Sequence, residues 1–304
     1  MTGQGKLGIC AHLANDPALW AKIASLGVTY ARIDGNWDSV QPERAVWEWS
    51  VLDRAIDGCR AVGLTPYVTL AYTPGWANGG AGRQVPAAEV MDWRSYVRAF
   101  GERYADRVTY VGIGNEPNTN GWSVEGYIRQ LWTPAVEELR AVTEGFQVCG
   151  PELATMGDWQ TWLHQLLQDA GKCLNVLTVH SYAATGREVL DRLGRDRFAP
   201  WERLSVRQVM ALAGYLPLPL ALTETGWNTA TVSEERQAKN YDELFEAMES
   251  CPWLVAALGF NAINEPPGPD GVAHVQWGVF RDDVSEKPAA AVFRKYTGGG
   301  VRRA

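Results

Sequence analysis

The feature that most constrains this chain's fold is an eightfold alternation of two periodicities. Apolar, β-rich runs occur at Leu7–His12, Thr29–Gly35, Thr65–Tyr72, Thr109–Glu116, Gln147–Ala154, Val176–Tyr182, Leu220–Thr225 and Leu254–Asn264. Stretches with helical spacing of apolar residues follow, clearest at Ala18–Leu26, Leu52–Val62, Ala88–Arg103, Val124–Val142, Trp159–Gln168, Leu204–Leu212, Glu234–Glu249 and Pro288–Lys295. A strand buried on both faces reads as a continuous apolar run, and the helix that covers it reads with a period of 3.6. Eight such units with no second compositional block predict one α/β domain. The expected architecture is a single (β/α)8 barrel over residues 1–304, with its core from about Leu7 to Tyr296. Gly27, Gly63 and Gly171 fall where a helix end calls for left-handed backbone. A doubly wound open sheet would call instead for a glycine-rich phosphate turn after the first strand. Cys10-Ala11-His12-Leu13-Ala14 supplies none.

Composition removes several function classes. A net charge of −7 with no Lys/Arg run opposes a nucleic-acid or anionic-membrane partner, and no apolar run reaches spanning length. The five cysteines (Cys10, Cys59, Cys149, Cys173, Cys251) are widely spaced, with no CxxC and no Cys/His cluster, which points to packed, reduced thiols. The segment Met1–Lys6 enters the first strand without an apolar leader, so the expectation is a cytoplasmic monomer, or a secreted one whose leader has been removed. The 14 Trp are the outlier; an indole suits a sugar face and a protein core equally well.

In a barrel of this kind chemistry sits where strands end, because the βα loops open there. Tyr110-Val111-Gly112-Ile113-Gly114-Asn115-Glu116-Pro117 and Leu220-Ala221-Leu222-Thr223-Glu224-Thr225-Gly226-Trp227 each end an apolar run on a glutamate and then break at Pro or Gly. Two carboxylates facing one cleft are what glycosidic bond cleavage requires. One carboxyl must then serve as acid, and burial of Glu116 beside a second carboxylate is expected to raise its pKa as that role requires. The other carboxylate must stay ionised, and for Glu224 the candidate donor is Arg32 of the second strand; a structural ion pair at the barrel mouth would be the same contact. Asn115 is placed to bind a sugar hydroxyl, or to form the turn before Glu116. His180 and Tyr182 end the sixth run, where they reach either the ionised carboxylate and substrate or only the core. Glu265 lies in a second Asn-Glu-Pro, but pairing it with Glu116 would span the barrel, so Glu265 and Asn261 are assigned to sugar binding or loop structure. Trp37, Trp76, Trp227 and Trp277 follow strand ends, as stacking platforms or as packing. His12, Asp34, Tyr72 and Glu152 also end runs, without an assigned role.

Asn115-Glu116-Pro117 and Glu224 resemble the acid/base and nucleophile of clan A glycoside hydrolases. Further segments are similar to family 39 and its relatives: Ala31-Arg32-Ile33-Asp34, Trp37 through Gln41-Pro42, Trp49 with Leu52-Asp53, Tyr72-Thr73-Pro74-Gly75-Trp76-Ala77, Gly150-Pro151, Trp277-Gly278-Val279-Phe280 and Lys287-Pro288-Ala289. The resemblance runs from about Leu7 to Tyr296 and implies a retaining mechanism on a β-linked carbohydrate, as in β-xylosidases and exopolysaccharide hydrolases. One departure stands out. Such enzymes close the eighth strand with a Trp under the sugar, whereas this chain reads Gly259-Phe260-Asn261-Ala262-Ile263-Asn264-Glu265-Pro266, so amides and a carboxylate are expected in its place.

Other readings fit less well. Four histidines (His12, His164, His180, His274) with no His-x-His pair argue against a metal hydrolase, and no metal or organic cofactor is expected. Gly112-Ile113-Gly114 begins a dinucleotide fingerprint that Pro117 ends. A non-catalytic carbohydrate-binding barrel would need neither glutamate. A transglycosylase would share both, and fold analogy does not separate it from a hydrolase. The expected substrate is a β-linked oligo- or polysaccharide cut internally, with exo-acting, β-xylosidase-like cleavage as the alternative.

Overall fold

A computed structural model describes residues 5–12, 14, 16–194, 200–265 and 276–298. Pro266 and His274 lie outside the described residues. Eight parallel strands form a closed barrel in chain order: β1 (Leu7–Cys10), β2 (Tyr30–Asn36), β3 (Thr65–Ala71), β4 (Tyr110–Ile113), β5 (Gln147–Ala154), β6 (Val176–His180), β7 (Leu220–Thr225) and β8 (Leu254–Gly259). β8 pairs back onto β1, with Gly8 opposite Leu258, so no sheet edge is left unpaired and the doubly wound alternative falls.

Helices between strands wrap the outside. Several begin at side-chain caps: Asp16 accepts from the Ala18 amide ahead of Pro17–Ala24, and Ser205 and Gln208 form a reciprocal capping box at Val206–Ala213. Gly27 and Gly63 turn the chain at positive φ. Gly171 does not. Its φ is −57°, and Trp159–Ala170 runs on into a short 3-10 turn; the site is glycine because a Cβ there would strike the Tyr215 ring. The helix Gly186–Gly194 between β6 and β7 was not anticipated, because three apolar residues, Val189, Leu190 and Leu193, carry its whole buried face with one glycine.

Burial sorts into two bodies. The larger lies between strands and helices. The smaller fills the barrel from Cys10, Tyr30, Tyr67, Cys149, Val176, Ala221, Ala256 and Leu258, with Tyr110 packed against it. Side chains alternate faces along a strand, so inward positions recur at every second residue. On β2 this aligns Tyr30 at the apolar floor with Arg32 and then Asp34 above it. On β6 it aligns Val176, Thr178 and His180. The interior therefore changes from apolar to charged on approaching the strand C-termini.

Candidate active site

The upper layer of the barrel holds an unusual amount of buried charge. Arg32, Glu152, His180 and Glu224 are each under 9% exposed, and Glu152 is fully buried. Isolated charges do not survive such burial; paired and hydrogen-bonded ones do. Arg32 supplies the link. Its Nη1 donates to Glu224 Oε1 at 2.7 Å and its Nη2 to Asn115 Oδ1 at 2.8 Å, while Nε lies 3.5 Å from Glu152 Oε2. With Asn115 Oδ1 occupied, its amide NH2 remains for a ligand. Tyr182 Oη donates to the second oxygen of Glu224 at 2.9 Å.

His180 sits among three carboxylates. Nδ1 is 3.0 Å from Glu116 Oε1 and 3.5 Å from Glu224 Oε2, and Nε2 is 3.0 Å from Glu152 Oε2. Burial alone would lower its pKa, but the Glu224 charge and the bonds to Glu116 and Glu152 reverse this, raising it to about 9. Glu116 behaves opposite to the sequence expectation. Burial pushes its carboxyl up, yet the His180 hydrogen bond and charge, aided by Arg32, bring it below the ordinary value. The expectation counted the second carboxylate but not the imidazolium between the two. Glu152 accepts from Tyr67 Oη, from Thr223 Oγ1 at 2.8 Å and from His180, and these with Arg32 overcome its burial and lower it to about 2.

Backbone geometry marks the same place. Among the described residues five that are not glycine have positive φ, and four of them mark the C-terminal ends of strands: His12, Tyr72 and Glu116 closely follow β1, β3 and β4, and Glu152 lies within β5, two residues before its end. L-residues adopt this conformation at a cost that surrounding structure must offset, and such residues collect at functional sites. Gly112 makes the burial of Glu152 possible. A Cβ there would lie 2.5 Å from Tyr67 Oη and 2.9 Å from Glu152 Oε1.

A cavity of about 190 Å³ opens in front of this layer, lined by Arg32, Asp34, Tyr72, Glu116, Glu224 and Phe260 among others. His12 Nδ1 pairs with Asp34 Oδ2 at 3.0 Å on one side, and Arg83 lies over the Tyr72 ring at 3.7 Å. Among the described residues Thr69 Oγ1 and His12 Nε2 have no hydrogen-bond partner, although the latter is 3.9 Å from Glu265 Oε1 at the rim. Oxygen and nitrogen atoms of Glu116, His180 and Glu224 come within 4.8 Å of one another, a set that resembles a cation site in composition. Arg32 already neutralises Glu224, and both His180 nitrogens already face carboxylates. Among the described residues the positive charge is thus supplied by side chains.

Other sequence candidates lie elsewhere. Trp37 is 1% exposed, stacked on Tyr96 with its indole N–H donating to Gln41, so it has no face for a sugar. Trp227 is 5% exposed, bonded to the Ala183 carbonyl and set edge-on to Tyr241; it too is packing. Asn261 is buried, its Oδ1 accepting from the Ile263 amide, and is a loop-forming residue. Trp76 is half-buried at the loop after β3, with Arg44 over its ring. Trp277 is half-buried and packs edge-on to Tyr182. The eighth strand also differs from expectation. Phe260 lines the cavity and contacts His12, Tyr182 and Trp277, so an aromatic ring, not an amide or carboxylate, occupies that wall.

No protein-family model matches the chain. A probable glucan 1,3-beta-glucosidase A of Aspergillus clavatus is 31% identical over 134 residues, 40% of this chain and 32% of that protein. Its counterpart in Aspergillus fumigatus is 32% identical over 141 residues, 42% of this chain and 34% of that protein. The chain thus spans about a third of the curated relatives it matches. A family 39 glycoside hydrolase from Bacteroides cellulosilyticus superposes with a TM-score of 0.79 at 19% identity, over 96% of this chain and 63% of that one. The fold shared with that structure is the closed (β/α)8 barrel. GH5_18 from Streptomyces cattleya, in complex with GlcNAc, superposes with a TM-score of 0.74 at 16% identity, covering 97% and 80% of the two chains. No helix among the described residues is long and apolar enough to cross a membrane.

Glu152 is the site residue to which sequence reasoning gave no role. Its signal was present: a glutamate inside the otherwise apolar run Gln147–Ala154, where only a buried partner explains the charge. Asp34 and His12 were likewise visible as run ends without a chemistry attached, whereas Phe260 lay inside the eighth run.

Proposed function

We propose that this protein hydrolyses β-glycosides with retention of configuration, using Glu224 as nucleophile and Glu116 as acid and then base. The observation that carries this reading is the pair's proximity. Each glutamate presents an oxygen within a set whose members lie within 4.8 Å of one another. Retaining pairs stand roughly 5–5.5 Å apart, against about 6.5–9.5 Å for inverting pairs, which must admit a water.

The roles follow from the partners. Arg32 and Tyr182 hold one oxygen each of Glu224, fixing the carboxylate as an acceptor-only, charged group ready to attack the anomeric carbon. Glu116 is more exposed, with 27% of its side chain accessible, and faces the same cavity, as a residue meeting first the leaving oxygen and then water must. Asn115, held by Arg32, offers its amide to the hydroxyl next to the anomeric carbon. The glycosyl-enzyme ester on Glu224 is then opened by a water that Glu116 deprotonates.

A β-linked glucan-type oligo- or polysaccharide is the substrate class most in keeping with the glucan-directed names of the Aspergillus relatives. Terminal cleavage is favoured over the internal cleavage expected from sequence. The cavity is small, and His12, Asp34 and Tyr72 wall its β1–β3 side. A panel of nitrophenyl β-glycosides and β-glucans tests both points. Monosaccharide release with little fall in polymer viscosity supports the terminal reading, and rapid viscosity loss restores the internal one. No turnover of any β-glycoside by folded protein would refute the hydrolase reading.

A further inference from the structure

Glu152 and His180 lie behind the wall of the cavity, and neither lines it. Both His180 nitrogens nonetheless stand 3.0 Å from a carboxylate oxygen, Glu116 on one side and Glu152 on the other. A neutral imidazole has one N–H and one lone pair, so one of these contacts would set a lone pair against a carboxylate. With Glu116 and Glu152 both ionised, only the imidazolium, with two N–H donors, satisfies both; the other arrangement that satisfies them holds the same proton on Glu116, with Nδ1 accepting it. A carboxylate that accepts from an imidazolium is ionised, and an ionised Glu116 has no proton to give a leaving group.

We propose that Glu116 and His180 act as one acid, in which His180 stores the proton that Glu116 delivers, and that Glu152 is the positioning residue that keeps it there. This rests on the β-glycosidase reading and adds the source of the acid's proton. In the first step the proton leaves His180 Nδ1 for Glu116 Oε1. The carboxyl group turns about its terminal torsion, and the same O–H is transferred to the leaving oxygen as its bond to the anomeric carbon breaks and the bond to Glu224 forms. His180 is left neutral, still donating from Nε2 to Glu152. In the second step water gives its proton to Glu116 while its oxygen displaces Glu224, and that proton returns to Nδ1. No proton is gained or lost over the cycle.

The surroundings of His180 favour this storage. Glu116 from the end of β4, Glu152 from β5 and Glu224 from β7 face it with negative charge, against Arg32 from β2 as the cation. Tyr182 beyond β6 and Tyr67 on β3 donate to two of these carboxylates, and the Cys10 thiol of β1, pushed up by burial, adds no charge. The His180 pKa near 9 and the lowered Glu116 place the proton on the ring at neutral pH.

Nitrogen NMR of isotopically labelled histidines in the full chain tests this without needing a substrate, with His180 assigned by elimination in His12→Asn, His164→Asn and His274→Asn. The wild-type protein is expected to show both His180 nitrogens protonated at neutral pH. Glu152→Gln, which keeps the shape and removes the charge, should lower the His180 midpoint by about 1–3 pH units. The alkaline limb of kcat/KM should fall with it for a glycoside with a poor leaving group. For a dinitrophenyl glycoside, which needs no protonation, that limb should stay where it is. A loss of activity through general misfolding would strike both substrates alike. A neutral His180 in the wild type, an unmoved midpoint in Glu152→Gln, or an equal shift of the limb with both substrates would overturn the proposal. The wild-type spectrum decides even where Glu152→Gln does not fold. Absence of turnover on every glycoside would refute the functional reading while the titration still located the proton.

Discussion

Tyr182→Phe should separate the two chemical steps. The substitution deletes one hydroxyl and leaves the ring, whose edge-on contacts with Phe260 and Trp277 hold it in place, so no cavity is created. What is lost is the 2.9 Å bond to Glu224 Oε2, whose next nearest donor is His180 Nδ1 at 3.5 Å. A hydrogen bond to a charged group contributes about 1.5–3 kcal/mol. That contribution exists only while Glu224 carries charge: in the free enzyme, and increasingly as the ester breaks, but not in the ester itself. Its loss therefore raises the barrier to deglycosylation and not the barrier to glycosylation. At about 1.4 kcal/mol per decade, kcat on an activated aryl glycoside should fall by about tenfold to a hundredfold. kcat/KM should change only a few-fold, with a pre-steady-state burst of phenol. Stopped-flow absorbance reads both. Equal falls in kcat and kcat/KM with no burst would show that the hydroxyl places the nucleophile instead of balancing its charge, and would refute the reasoning.

Three further outcomes follow from the same contacts. Glu224→Ala with added azide should yield the inverted glycosyl azide and Glu116→Ala the retained one, read by product NMR; the opposite assignment means that the roles are exchanged. Gly112→Ala should destabilise the fold by about 1–3 kcal/mol in denaturant unfolding, because a methyl group is forced against Tyr67 and Glu152; an unchanged midpoint would show that the pair is loosely held. Stability should also depend on pH at both ends. The raised His180 pKa contributes stability that is complete below its unfolded value of 6.5 and is lost as pH rises through about 9. The lowered Glu152 pKa contributes stability that is present above 4.5 and is lost as pH falls through about 2, so the melting temperature should be highest between these limits.

The barrel was legible because each strand and most helices carry their own periodicity. The helix Gly186–Gly194 escaped because its buried face is three residues wide. Glu116, Glu224, Arg32, His180 and Tyr182 were legible as site candidates because strand ends converge in a closed barrel whatever their separation in sequence. The tryptophans were not, since whether an indole after a strand faces the cavity or the helices depends on the loop's path. Trp37 and Trp76 illustrate this. They sit edge-on at 5.6 Å, one wholly buried and the other half-buried. The direction of the Glu116 shift was also hidden, because it depends on a histidine 64 positions later standing between two glutamates.

The first-formed product reports most directly on the claim that Glu116 and Glu224 work as a retaining pair. Proton NMR recorded within the first turnovers of a β-glycoside, before mutarotation, distinguishes the anomers. The β-anomer should appear first and the α-anomer only later, at the rate of spontaneous mutarotation. Initial release of the α-anomer would mean that water attacks the anomeric carbon directly, and that Glu224 is not a nucleophile.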